Sequence, residues 1–271
     1  TPVKEDGRVL DSILAAASIC GVDKIYKFGG PHGISALAYG TESVPKVYKI
    51  TGPGNIYVSA AKKIVSDIVG IDMIAGPSEI LIVADKNANP KYIAADLISQ
   101  AEHDEMAASI LVTDSYKLAE KVSENLENLI SKMERKEIIS KSINNYGGII
   151  LTDSLNESLE IANEIAPEHL ELLTTNPFED YKKIENAGAV FLGEYSPEPV
   201  GDYYAGPNHT LPTSGTSKYS SALSVDDFIK KTSLIYYSKE SLEKSKDDII
   251  RFAENEGLYG HAESIKIRFE E

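Results

Sequence analysis

The sequence has one cysteine, no tryptophan and three methionines in 271 residues. The single cysteine, Cys20, closes no internal disulfide, so a reducing, cytoplasmic compartment suits the chain. It lies among Ala15, Ala16 and Ile19 and reads as core packing. Positive charge is scarce as well, with 27 Lys+Arg against 42 Asp+Glu and a formal net charge of −15. Such a field repels phosphate backbones and anionic headgroups, which argues against nucleic-acid and membrane-surface partners. Long apolar runs are missing too, stretches such as 80–84 falling far below the roughly 18 residues of a membrane span. The acidic residues Glu5, Asp6 and Asp11 precede the apolar segment 13–22, the wrong flank for a secretory signal peptide. Repeats and Ser/Gly-rich linkers are absent. What is present is the material of a folded protein, since a 42% hydrophobic fraction suffices for a core.

Short apolar runs alternate with helical patterns. Candidate strands fall at 24–28, 47–50, 79–84, 109–113, 148–152, 170–174 and 187–192, each bounded by turn residues. Their continuous apolar character predicts a sheet covered on both faces. Between them, Leu118, Val122, Leu126, Leu129 and Met133 recur at helical spacing. This βαβα order predicts parallel, doubly wound α/β layers. Beyond Ser238 the pattern is helix only, with Leu242, Ile249, Ile250 and Ala253 as its apolar stripe, and predicts a small helical appendage.

Four Gly-rich turns border helices: Gly29-Gly30-Pro31-His32-Gly33, Gly52-Pro53-Gly54-Asn55, Gly76-Pro77-Ser78-Glu79 and the segment 201–206. Such turns can hold phosphate at a helix N-terminus, but none has the GxGxxG spacing, and glycine also serves wherever φ must be positive. On the helix that starts near Pro90, residues Asp96, Ser99, Gln100 and His103 make one polar stripe at i, i+3, i+4 and i+7. Imidazole and amide oxygen are metal donors, whereas a polar stripe can equally be a solvated face. Glu168-His169 follows Ala166-Pro167, where a helix should end and a strand begin. That is a strand mouth of the kind that lines a ligand crevice, with a carboxylate and an imidazole for proton transfer. A helix C-terminal histidine favoured by the dipole is the alternative. The segment 199–209, which holds Asp202 and His209, reads as a long functional loop.

Read together, these segments resemble the histidinol dehydrogenase family. The matching stretches are YGTESVPKV (39–47), GPGNIYVSAAKK (52–63), IDMIAGPSEILIVAD (71–85), AADLISQAEHD (94–104), APEHLEL (166–172), GEYSPEPVGDYYAGPNHTLPTSGTSKYSSALSVDDF (193–228) and EGLYGHAESI (256–265). The resemblance implies two Rossmann-like parallel-sheet domains and a helical appendage. These would be a partial NAD-side domain at 1–77, a second α/β domain at 78–223 and an appendage at 224–271 that crosses a homodimer, with Gly76-Pro77-Ser78 between the first two. It implies zinc-dependent oxidation of L-histidinol to L-histidine with NAD, through an aldehyde-level intermediate. Gln100, His103, Asp202 and His261 would hold one zinc per subunit, His261 reaching the site of the other subunit. Glu168 and His169 would be the acid–base pair. Ser78, Gln100, His103, His169, Asp202, His209, Glu256 and His261 would surround the substrate. His32 and Asn55 would contact NAD, His32 standing where the family usually has glutamine. The family also has a substantial portion ahead of the segment that begins at Thr1, so the resemblance is to a C-terminal portion and Thr1 reads as a break point. A truncated fragment that binds zinc and ligand without catalysis is the alternative, and a zinc hydrolase with Glu168 activating water is a third reading.

Overall fold

The computed structural model describes residues 1, 3 and 6–270, and Glu5 lies outside the described residues. The chain divides into two compact units, Thr1–Phe228 and Ile229–Glu271.

The first unit opens with α1 (Asp11–Ile19), α2 (Gly30–Tyr39), β1 (Lys49–Ile50), α3 (Ile56–Val65) and β2 (Gly70–Ile71). β1 and β2 pair in parallel, and Ile50 joins Ala38, Val65 and Val69 in a small core. The expected strand at 24–28 has no regular structure, and the one at 47–50 is reduced to its last two residues. A strand needs a neighbour's backbone groups, and this sheet, among the described residues, consists of β1 and β2. Cys20 is exposed rather than in a core. Its apolar neighbours are uncovered with it: α1 buries none of its residues, and Ile19 is 86% exposed.

After Gly76-Pro77-Ser78 a larger sheet begins. In order come β3 (Glu79–Ala84), α4 (Pro90–Ala101), β4 (Ala108–Thr113), α5 (Tyr116–Ile130), α6 (Lys136–Tyr146), β5 (Gly147–Leu151), α7 (Leu155–Ile165), β6 (His169–Leu173), α8 (Pro177–Asp180), β7 (Ala189–Leu192) and α9 (Glu198–Tyr203). The five strands β3 to β7 are parallel, in the spatial order β5-β4-β3-β6-β7. The parallel α/β reading therefore holds. Successive strand residues point to opposite faces, and β3 shows why its run has to be apolar throughout. Ile80 and Ile82 pack with Leu97, Leu118, Val122 and Ile139 on one face, while Leu81 and Val83 pack with Leu159 and Ala162 on the other. Burial of each such side chain contributes roughly 1.5–3 kcal/mol.

Local signals set the ends of the helices. Side-chain oxygens of Asn89, Ser115 and Ser154 accept backbone N–H groups at the starts of α4, α5 and α7, each cap contributing about 1 kcal/mol. α7 stops at Ala166, which adopts a left-handed φ of 55°, and Pro167 prevents continuation. The chain then enters β6 at His169, where a strand was expected. The segment 199–209 is not all loop: α9 takes up its first part. Pro199 fits the second helical position because its missing N–H has no intrahelical partner to lose there.

In the second unit, α10 (Lys239–Asn255) and α11 (Tyr259–Lys266) pack on each other and bury Ala253 and Ala262, as the helix-only pattern predicts. Among the described residues, no helix is long and apolar enough to cross a membrane.

Candidate active site

The polar site grows out of β6. All five of its residues, His169-Leu170-Glu171-Leu172-Leu173, are buried. Leu170 and Leu172 enter the core on the α7 side, and Leu173 enters the core on the α4 side. His169 and Glu171 share the face of Leu173 by alternation. On α4, Asp96 and Gln100 are four residues apart and share a face. A two-residue step along a strand is about 6.6 Å and a four-residue step along a helix about 6 Å, so the two elements can oppose matched polar pairs. The carboxyl of Asp96 lies within hydrogen-bonding reach of Glu171. Burial, and then the charge of Asp96, holds Glu171 well above the usual carboxylate range. Gln100 is only 1% exposed and Asp96 and Ser99 are half-buried, so this part of the polar stripe is not a solvated face.

His103 lies just past Glu102, the C-cap of α4, and is exposed. Its Nδ1 is 2.9 Å from the Ser99 carbonyl oxygen. A carbonyl only accepts, so Nδ1 carries the proton and Nε2 keeps its lone pair. α9 brings in Glu198 and Asp202, again four residues apart. One ligand atom from each of His103, Glu198 and Asp202 lies within 4.8 Å of the others. Glu198 is a residue that sequence reasoning missed; the signal for it was two carboxylates at i and i+4 in Glu198-Pro199-Val200-Gly201-Asp202.

These residues fit a divalent cation. Glu198 is 2% exposed, and burial followed by the neighbouring Asp202 charge raises its pKa to about 8. Carboxylates crowded together out of water need a cation or a proton between them. Both amide atoms of Gln100 are buried without a hydrogen-bond partner. An unsatisfied buried amide is costly, and a metal would satisfy its oxygen. Imidazole nitrogen with carboxylate and amide oxygens is a donor set that zinc accepts.

Beside this cluster, Glu168 and His169 are both bound to Glu79 at the start of β3. His169 Nδ1 is 3.0 Å from the Glu79 carbonyl, so Nδ1 is the donor. Its Nε2 is buried without a partner and can accept a proton. Burial lowers the pKa of His169. Glu168 Oε2 accepts the Glu79 N–H at 3.0 Å, and burial raises the Glu168 pKa to about 8. The 3.7 Å between Glu168 Oε2 and His169 Nδ1 thus separates two neutral groups, not an ion pair. Because His169 starts β6 and binds β3, the helix-terminal alternative for it falls away. Glu79 was not foreseen as a site residue. It orients both groups through its backbone, while its side chain accepts the Ser214 N–H.

The strand-mouth expectation needs one correction. Open α/β sheets bind ligands at the carboxyl ends of their strands, whereas Ser78, Glu79 and His169 stand at the amino ends of β3 and β6. There a cavity of about 350 Å³ is lined by Gly54, Asn55, Gly76, Ser78, His103 and Met106. Asn55 caps α3, its Oδ1 accepting from the N–H groups of Tyr57 and Val58, which leaves the amide NH₂ for a ligand. His209 is exposed in the loop after α9 and, like His103 and Asp202, lies within electrostatic reach of His169. The structure therefore gathers Asn55, Ser78, Gln100, His103, Glu168, His169, Asp202 and His209 around the amino ends of β3 and β6. His32, exposed in the first turn of α2, does not line this cavity. Glu256, the C-cap of α10, and His261 in α11 belong to the second unit and are exposed there.

Fold and site together define a class: a parallel α/β protein with a metal-type donor cluster beside a buried acid–base pair. Within that class the chain belongs to the histidinol dehydrogenase family, whose sequence profile matches residues 1–269. It is 59% identical over 269 residues to the histidinol dehydrogenase of Clostridium acetobutylicum, covering 99% of this chain and 62% of that protein. To the histidinol dehydrogenase of Lactococcus lactis it is 56% identical over 271 residues, covering 63% of that protein. The crystal structure of histidinol dehydrogenase from Elizabethkingia anophelis superposes with a TM-score of 0.92 at 42% identity, over 99% of this chain and 62% of that one. The chain thus spans about three fifths of the length of these relatives.

Proposed function

We propose that this chain carries the metal and proton-transfer machinery of a zinc-dependent, NAD-linked oxidation of L-histidinol to L-histidine, through an aldehyde-level intermediate. The observation that carries the reading is the buried, unpartnered Nε2 of His169 between neutral Glu168 and the donor cluster. Gln100, His103 and Asp202 would hold one zinc per subunit, together with His261 from the other subunit of a homodimer. Glu198 lies close enough to His103 and Asp202 to share in that coordination. Bound zinc supplies Lewis acidity that orients the substrate, and bound NAD supplies the hydride acceptor.

Every proton then belongs to this chain. His169 Nε2 takes the substrate hydroxyl proton, its low pKa keeping the ring neutral and ready to accept. Glu168, with a pKa raised to about 8, takes a proton from the water that adds to the aldehyde only in its ionised form, whose share grows as the pH rises towards 8. Ser78 and His209 would contact the substrate, and Glu256 would pair with its ammonium group. Asn55, from the rim of the cavity, and His32 would contact the cofactor. The single cysteine suits a cytoplasmic enzyme.

The test is formation of NADH from L-histidinol by this chain, with added zinc and then with a chelator. Chelator-sensitive NADH formation that is lost in His103→Ala is the expected result. Folded protein that binds zinc but forms no NADH would leave the role of a non-catalytic binding fragment.

A further inference from the structure

We propose that Glu171 is a positioning residue for the metal-binding helix: its buried carboxyl, reaching across from β6, caps α9 and so sets where Glu198 and Asp202 point. The proposal rests on the metal reading above and extends it to a residue that is not itself in the donor cluster.

Four observations carry it. First, Glu171 Oε1 accepts the backbone N–H of Glu198 at 2.8 Å, a buried bond between residues 27 apart in the chain. Secondly, that N–H is the first of α9, one of the donors a helix cannot satisfy internally. The N-cap residue, Pro197, offers no side-chain bond in its place. Thirdly, α9 has six residues, too few to be stable without tertiary anchors. Its other anchor is Gly201: a Cβ there would come within 2.7 Å of the Phe191 ring, so the helix backbone lies directly on β7. Fourthly, Glu171 is 1% exposed in a strand whose neighbouring positions 170, 172 and 173 are leucine. A carboxyl is kept there at a desolvation cost that leucine would avoid, so its hydrogen bond has to serve something. An oxygen of this carboxyl accepts the Glu198 N–H whether or not the group holds a proton. The second oxygen, Oε2, is buried without a hydrogen-bond partner.

The experiment uses the full chain with Co²⁺ as a spectroscopic substitute for zinc. Glu171→Gln keeps the acceptor and Glu171→Leu removes it. In the leucine variant, Co²⁺ affinity should fall by about tenfold or more, as for other residues that orient metal ligands. Its visible absorption band should shift, and amide exchange across α9 should speed up even without metal. The glutamine variant should stay close to wild type in all three. Should the leucine variant fail to fold, Glu171→Asp, one methylene short of the Glu198 N–H, takes its place. Unchanged exchange across α9 in a folded leucine or aspartate variant would overturn the positioning role, with or without metal. If the wild-type chain binds no Co²⁺, the metal reading fails, and faster α9 exchange in the leucine variant would still uphold the cap.

Discussion

The two ends of β3 and β6 make an instructive pair. At their carboxyl ends the strand order reverses, β3 leading to β4 and β5 on one side and β6 to β7 on the other. Such a switch point is the usual ligand crevice of an open α/β sheet, and a cavity of about 360 Å³ is present there. Three of its polar residues, Asp85, Asn87 and Thr175, are however engaged with one another. Asp85 accepts from the Thr175 N–H and hydroxyl at 2.6 Å each and from the Asn87 N–H at 2.8 Å, and the Asn87 amide donates to the Thr175 hydroxyl. At the amino ends the situation is reversed. Among the described residues, all the buried side-chain polar atoms without a partner belong to Gln100, His169 and Glu171. Topology alone therefore points to the end opposite the candidate site. Polar groups that are buried yet unsatisfied mark the end equipped for chemistry, because their cost has to be recovered by something they bind.

The largest effect that would sharpen this contrast is on turnover. His169→Leu removes a buried base with an open lone pair and should lower the rate of NADH formation from L-histidinol by about 10²–10⁴-fold. Asp85→Ala, at the other end, should leave that rate unchanged. A folded Asp85 variant without activity would break the comparison.

A smaller effect concerns pH. The Glu168 pKa is raised from 4.5 to about 8 in the folded protein, so between those values the folded state holds a proton that the unfolded state has lost. Stability of the wild type must then fall as pH rises through that window and level off above pH 8. Glu168→Gln removes this dependence. It should match the wild type near pH 4 and be more stable above pH 8, by about 5 kcal/mol at most. Urea unfolding across pH would show it, and a variant equally stable or less stable at high pH would contradict the burial of that carboxyl.

Smallest is the structural cost at the self-satisfied end. Asp85→Ala strands the Thr175 and Asn87 N–H groups in a partly exposed turn, and should cost about 1–3 kcal/mol in urea unfolding. Co²⁺ affinity should not change with it. A shift in metal affinity would mean that the two ends are coupled through β3 and β6.

Much of the fold was legible from particular residues. The unbroken apolar run of β3 required cover on both faces, and the spacing of Leu118, Val122, Leu126 and Leu129 announced the helix α5. The misreadings share one cause. The segment 24–28 and Cys20 looked like a strand and a core residue by composition, but composition cannot say whether a partner strand or a covering layer is there. Of the candidate site, Gln100, His103, Glu168, His169 and Asp202 were picked out in the sequence because short motifs carried them. Glu79, Glu171 and Glu198 were not. Glu79 acts mainly through backbone groups, which are the same in every residue type. Glu171 lay inside a run read as an apolar strand, and Glu198 lay just ahead of the segment 199–209 read as a loop.

The sequence by itself determined the class of layers, the helical tail, the acidic and disulfide-free character, and the family. Those properties follow from composition, period and motif, which are local and can be counted. Only the tertiary structure decided which end of the sheet carries the candidate site, which carboxyls have raised pKa values, and which nitrogen of His169 is left free. Each of these depends on burial and on partners tens of residues away, as Glu79 is to His169 and Glu171 to Glu198. Spacing along a chain does not encode distance across a fold.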